Sequence, residues 1–195
     1  FGEHIVLDHL CLDVRRAETH AFLHDRTFGT DGRLVAELGR ATIDGLGEGG
    51  IQPTIKHMPG HGRAQADTHE SMPTVDAGRG ELESDFAPFR ALREVPWAMT
   101  AHVIYRAIDP RQPATMSSRV IGDVIRERIG FAGALLSDDL GMGALSGTLA
   151  ARAGTALGAL ADTCPPETAP KLRIGPSALL ALKLTPRDRG TCTVL

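Results

Sequence analysis

The 195-residue sequence has only three cysteines, Cys11, Cys164 and Cys192, an odd number spread too widely for a Cys-x-x-Cys knuckle. This excludes a disulfide framework and makes a reducing compartment the expectation. No run is long and apolar enough for a membrane span, and the start lacks the basic-then-apolar pattern of a signal peptide. No basic stripe stands out and the net charge is −3, so neither nucleic acid nor a membrane surface is an expected partner. Aromatics make up 4%, all eight at or before Phe131, and all eight histidines lie at or before His102. The last part of the chain therefore has neither, while the stretch from Cys164 onward holds five of the twelve prolines. We expect residues 159–195 to form an irregular C-terminal tail. The first residue is Phe1 rather than methionine, from which a fragment is expected. What is present is ordinary globular usage, 42% apolar and 23% charged, enough for one substantial domain.

Across residues 1–158 strand and helix patterns alternate. "HIVLDHLCLDV" (4–14), "IQPTIKH" (51–57), "WAMTAHVIY" (97–105) and "GALLS" (133–137) read as strands. "TDGRLVAELGRATIDGL" (30–46) opens with capping residues and places Leu34, Val35, Leu38 and Ala41 or Thr42 at helical spacing. "ELESDFAPFRALREV" (81–95) sets Leu82, Phe86, Phe89 and Leu92 on one stripe, with Pro88 as a kink or a start. "SSRVIGDVIRERIGF" (117–131) turns Val120, Val124, Ile125 and Ile129 inward, and "SGTLAARAGTALGALA" (146–161) is the last helix. Four strand–helix units with almost continuously apolar strands imply an α/β fold with a buried parallel sheet, either doubly wound or a (β/α) barrel. Lys56-His57, His102 and Ser137-Asp138-Asp139 all fall at the C-terminal ends of strands, where both architectures carry their sites.

Several motifs compete for the chemistry. Gly45-Leu46-Gly47-Glu48-Gly49-Gly50 matches G-x-G-x-x-G but follows a helix and precedes a strand, so it reads as a helix end and loop. His57, His61, Asp67 and His69 are suitable zinc ligands. They lack the H-E-x-x-H arrangement, however, and the intervening prolines and glycines prevent one helix face from presenting them. Asp138 and Asp139 are either caps of the following turn or carboxylates aimed into a pocket. Asp67-Thr68-His69 puts a carboxylate two residues before an imidazole, either as a polar turn or as an oriented general acid/base. Asp138 is the nucleophile such a pair would need, since no serine or cysteine sits in a nucleophile-elbow context.

"IKHMPGHGRAQADTHESMPTVD" closely resembles the K-H-[F/I]-P-G-H-G-x4-D-[S/T]-H signature of the β-N-acetylglucosaminidases in glycoside hydrolase family 3. "GFAGALLSDDLGMGAL" resembles that family's nucleophile segment, G-F-x-G-x-x-x-S-D-D-L-x-M. "HDRTFGTD", "AMTAHVIYRAID" and "PATMSS" look like its connecting blocks, in order, so the resemblance covers residues 5 to 155. It implies that Asp138 attacks the anomeric carbon while His69, held by Asp67, protonates the departing oxygen and then activates water. That is a retaining scheme with a histidine in place of the second carboxylic acid. It further implies that Arg26, Lys56 and His57 bind sugar hydroxyls, that His61 braces the loop and that Asp139 is a cap. The implied substrate is a small carbohydrate, an N-acetylglucosaminyl muropeptide or chitooligosaccharide, cleaved during peptidoglycan recycling in the cytoplasm without metal or other cofactor. The oligomeric state is left open.

The family's fold is a TIM-type barrel, typically of about 250 residues. The four units here imply a partial (β/α) barrel, truncated at both ends and lacking the part that carries a further sugar-binding aspartate and arginine. Besides an active hydrolase, the alternatives are therefore an incompetent fragment that binds sugar weakly, a relative that accepts phosphate instead of water, and a zinc hydrolase.

Overall fold

The computed structural model describes residues 7–163; of the tail expected over residues 159–195, residues 159–161 belong to the last helix and residues 164–195 lie outside the described residues. Four strands, β1 (Leu7–Cys11), β2 (Gln52–Met58), β4 (Trp97–Thr100) and β6 (Ala134–Leu136), form a parallel sheet in the order β1-β2-β4-β6. β3 (Thr74–Val75) and β5 (Ile104–Tyr105) pair in a separate two-stranded parallel ribbon. The register runs from Leu7↔Gln52 to Cys11↔Lys56, from Thr54↔Trp97 to Met58↔Thr100 with a shift after Ile55, and from Trp97↔Ala134 to Met99↔Leu136. The helices are α1 (Gly32–Glu48), α2 (Arg79–Ala91), a π-helical segment (Val120–Arg128) and α3 (Leu149–Ala161). Every neighbour in the larger sheet is joined through a crossover, as parallel pairing requires. This bears out the α/β reading with four parallel strands and connecting helices. Among the described residues the sheet is open, with β1 and β6 at its edges.

The expected strand over 97–105 is two strands. β4 leaves the sheet after Thr100, although the Ala101 N–H still reaches the Met58 carbonyl. His102 then turns to the loop after β6, and the Ile104 N–H takes up the Pro73 carbonyl to start the ribbon. The stripe expected on α1 is also displaced: Val35 is buried, whereas Leu34 and Leu38 are exposed. The reason is Gly39, where a Cβ would lie 2.7 Å from Leu12 and 2.9 Å from Leu92. The helix approaches the core along its bare glycine edge, so the bulkier neighbours fall outside the contact. α2 starts at Arg79 behind a Gly78–Glu81 cap and runs through Pro88, so the proline neither starts nor ends it.

Ile55, Met58, Ala98 and Leu135 from the sheet, with Leu12 just past β1, meet Leu82, Phe86, Phe89 and Leu92 from α2 and its end, all of them buried. Each large side chain fully withdrawn from water contributes about 1.5–3 kcal/mol. This apolar layer ends at the carboxyl ends of β1, β2, β4 and β6, where the polar residues gather.

Candidate active site

Each main strand delivers polar groups at or just beyond its carboxyl end. β1 leads to Asp13, β2 carries Lys56 and His57 just before its last residue, Met58, β4 leads to His102, and β6 leads to Asp138. Asp13 was not singled out in the sequence, yet it is fully enclosed, with 0% exposure. One of its oxygens accepts from the His61 N–H at 2.6 Å. The other is 2.7 Å from His57 Nδ1 and accepts the Cys11 thiol at 3.2 Å, while the His57 N–H lies 3.3 Å from both. Burial alone would raise the pKa of this carboxyl, but the neighbouring His57, by charge and by hydrogen bond, with help from His61, brings it down to about 2. Asp13 is therefore a carboxylate that organises the beginning of the loop after β2. Because His57 Nδ1–H is committed to it, His57 Nε2 is left facing Asp138 Oδ2 at 3.8 Å, beyond a direct hydrogen bond.

Cys11, Asp13 and His57 bring three possible metal-ligating atoms within 4.8 Å of one another. The thiol and the imidazole N–H both donate to Asp13, however, so the cluster is a satisfied hydrogen-bonded set. Burial and the charge of Asp13 both push the Cys11 thiol well above its ordinary pKa, opposing the thiolate a metal would need.

The loop from Pro59 to Pro73 is held at several points. The Tyr105 hydroxyl donates to the Gly60 carbonyl, and Arg63 Nε donates to the buried Asp85 at 2.5 Å. Asp85 also accepts from Arg16, tying the loop to α2 and to the exit of β1. His61 is buried, its ring 5.4 Å from that of His57 and edge-on to Phe22. Burial first, then the proximity of His57, lowers its pKa to about 4, so it is neutral near pH 7. This fits the expectation that His61 braces the loop.

At the far end of the loop, His69 Nδ1 lies 2.7 Å from Asp67 Oδ1, which also accepts the His69 backbone N–H at 2.9 Å. The bond to that N–H, followed by the imidazole, lowers the Asp67 pKa. The His69 side chain is 57% exposed, and its ring stands perpendicular to Phe22 at 6.1 Å. The same loop is stitched to the one after β6. Gly143 N–H donates to the His69 carbonyl at 3.2 Å, and Ala144 N–H to the Thr68 carbonyl at 3.1 Å. A Cβ on Gly143 would lie 2.5 Å from the His69 carbonyl oxygen, so only glycine permits this approach.

Asp138 is part-buried and its Oδ1 accepts the Asp139 N–H at 2.9 Å. Asp139 accepts from the Gly141 N–H, the turn-capping role expected of it. Lys56 is part-buried, and its pKa is lowered by burial and by the charge of Arg26, while Asp138 opposes the shift. Arg26 is exposed, with its guanidinium 5.9 Å from the Phe22 ring centre. The structure thus brings His57, Lys56 and Asp138 together, joins the Asp67–His69 loop to the Asp138 loop, and sets Arg26 against Phe22. Phe22 lies in a short helical turn (Ala21–Arg26), and its part in this wall had no periodic signal in the sequence. Asp13 did have one, a lone acid closing an apolar strand.

The model of the glycosyl hydrolase family 3 N-terminal domain matches residues 11–164. The chain belongs to this family. It is 42% identical over 156 residues to a beta-hexosaminidase of Alkalilimnicola ehrlichii, covering 77% of this chain and 44% of that one. A family 3 beta-N-acetylglucosaminidase from Paenibacillus superposes with a TM-score of 0.72 at 35% identity, over 80% of this chain and 31% of that chain. NagZ from Neisseria gonorrhoeae, solved with N-trifluoroacetyl-D-glucosamine, gives a TM-score of 0.71 at 34% identity, over 78% of this chain and 45% of that chain. The Neisseria protein has also been solved in complex with zinc ion. The family 3 chain described here spans less than half the length of these relatives. Among its described residues no helix is long and apolar enough to cross a membrane.

Proposed function

We propose that this chain carries the catalytic residues of a retaining β-N-acetylhexosaminidase that removes terminal β-linked N-acetylglucosamine. The observation that carries the reading is the junction of two loops: the one bearing the Asp67–His69 pair is bonded through its backbone to the one bearing Asp138. In the first step Asp138 Oδ2 attacks the anomeric carbon, the bond to the leaving oxygen breaks, and protonated His69 gives that oxygen its Nε2 proton. In the second, neutral His69 takes a proton from water, the water oxygen bonds to the anomeric carbon, and the bond to Asp138 breaks. Asp67 holds Nδ1–H, which assigns the proton traffic to Nε2. The 3.8 Å between His57 Nε2 and Asp138 Oδ2 leaves a bare nitrogen to accept a sugar hydroxyl, and Lys56 and Arg26 supply cationic donors. A muropeptide or chitooligosaccharide substrate in the cytoplasm follows from the family reading, as does a catalytic unit over residues 1–158 followed by a separate tail.

The test is release of the aryl group from an aryl N-acetyl-β-glucosaminide. D138A should lower turnover at least ~10³-fold, and turnover at wild-type level in that variant overturns the assignment. Activity should persist in a chelator, whereas loss on chelation that zinc restores would favour the zinc hydrolase.

A further inference from the structure

His102 stands at the end of β4 and takes no part in the steps above, yet it is fully buried at 0% exposure and both its ring nitrogens are engaged. Nε2 lies 3.0 Å from the carbonyl oxygen of Asp139. A carbonyl can only accept, so Nε2 carries a proton. Nδ1 lies 2.9 Å from Thr115 Oγ1. Burial lowers the His102 pKa and favours the neutral ring, in which a bare Nδ1 faces the Thr115 hydroxyl. The Thr115 hydroxyl has a second acceptor in the Ala101 carbonyl, to which it donates at 3.1 Å and which also accepts the Thr115 backbone N–H. The Thr100 hydroxyl lies 2.8 Å from Thr115 Oγ1 and donates to the Leu136 carbonyl at 3.2 Å. The result is a buried hydrogen-bonded cluster of Thr100, Thr115 and His102, in which the bond from His102 Nε2–H to the Asp139 carbonyl has a fixed direction.

The bond from His102 Nε2–H matters because of what Asp139 does. Its N–H holds Asp138 Oδ1 at 2.9 Å, its carbonyl accepts from His102 and from the Met142 N–H, and its side chain caps Gly141. The peptide whose N–H grips one oxygen of Asp138 therefore belongs to the residue anchored by His102. We propose that His102 is a positioning residue for Asp138: as the Nε2–H tautomer it fixes Asp139, and through the Asp139 N–H it fixes the carboxylate so that Oδ2 faces the substrate side beside His57. The proposal rests on the hydrolase reading for its kinetic consequence but not for its structural one.

Three measurements on the whole chain test it. Ring ¹⁵N shifts of wild-type His102 should show the proton on Nε2 at neutral pH, and a proton on Nδ1 alone overturns the proposal. Amide exchange at Asp139 should be roughly tenfold faster in H102F, with exchange in α2 unchanged, and unchanged exchange at Asp139 overturns the proposal. On the aryl glycoside, kcat should fall about 10- to 100-fold in H102F with KM unaltered, because the carboxylate is misplaced while sugar binding is kept. In H102Q, which keeps a donor toward the carbonyl, kcat and slow Asp139 exchange should largely return. Should H102F loosen α2 as well, H102Q decides: an Asp139 amide exchanging as fast as in H102F overturns the role. Should the wild-type chain fail to cleave the glycoside, the hydrolase reading fails by itself, and the tautomer and exchange still decide the role of His102.

Discussion

The Asp13–His57 and Asp67–His69 pairs share one bond, 2.7 Å from carboxylate oxygen to Nδ1, in opposite surroundings. Asp13 and His57 are buried, joined across 44 residues, and surrounded by the His61 N–H and the Cys11 thiol. Asp67 and His69 are two residues apart in one loop, with the imidazole more than half exposed. A buried carboxylate–imidazole pair whose carboxylate oxygens are both engaged fixes geometry and exchanges protons poorly with solvent. An exposed pair holds a tautomer at little cost and leaves the other nitrogen free for proton transfer. The same two side chains serve as a scaffold in one place and as a candidate acid/base in the other, and burial makes the difference.

This contrast can be broken from either end. Asp13→Ala should cost about 3–5 kcal/mol, because it strands several buried donors at once. Denaturant unfolding should show that loss, and a cost near zero would mean that Asp13 does not organise the loop. Next in size is acid sensitivity. His61 has a folded pKa of about 4, below its unfolded value, so the unfolded state takes up the proton first. Stability is complete above pH ~6.5 and falls by about 3 kcal/mol as pH drops to about 4. Asp13, at about 2 in the fold, contributes fully above pH ~4, and that part is lost as pH falls through about 2. Thermal unfolding from pH 7 to 4.5 should show the first slope, and H61L should flatten it. Asp67→Ala should lower kcat about 10- to 100-fold through loss of the held tautomer. Its effect on stability should stay below about 1 kcal/mol, as for other exposed pairs. A stability loss like that of Asp13→Ala would erase the distinction between the two pairs.

Much of this arrangement was legible in the sequence, and the misses share a cause. The strand–helix alternation and the polar residues at strand ends are periodic or positional signals, and they located β2, β6, α2, Lys56, His57 and Asp138. The rule that picked out those residues also applies to Asp13, but "LCLDV" has a single acid and no neighbouring histidine to draw attention to it. The break between β4 and β5 was hidden because "WAMTAHVIY" is apolar throughout, and only the pull of the Asp139 carbonyl on His102 shows where the strand ends. The displaced face of α1 depended on Leu12 and Leu92 closing on Gly39, a contact between distant segments that no local spacing records. The ring contacts of Phe22 with His61 and His69 are likewise long-range.

The junction at Gly143 has a consequence for how this site can change over generations. The two loops are joined there by peptide groups alone, so the join places no demand on the side chains around it except that residue 143 have none. Exposed positions of the same loop, such as Gln65 and Glu70, can therefore drift without parting the candidate proton carrier from the candidate nucleophile. Change at the surface of the loop leaves the backbone join beneath it untouched.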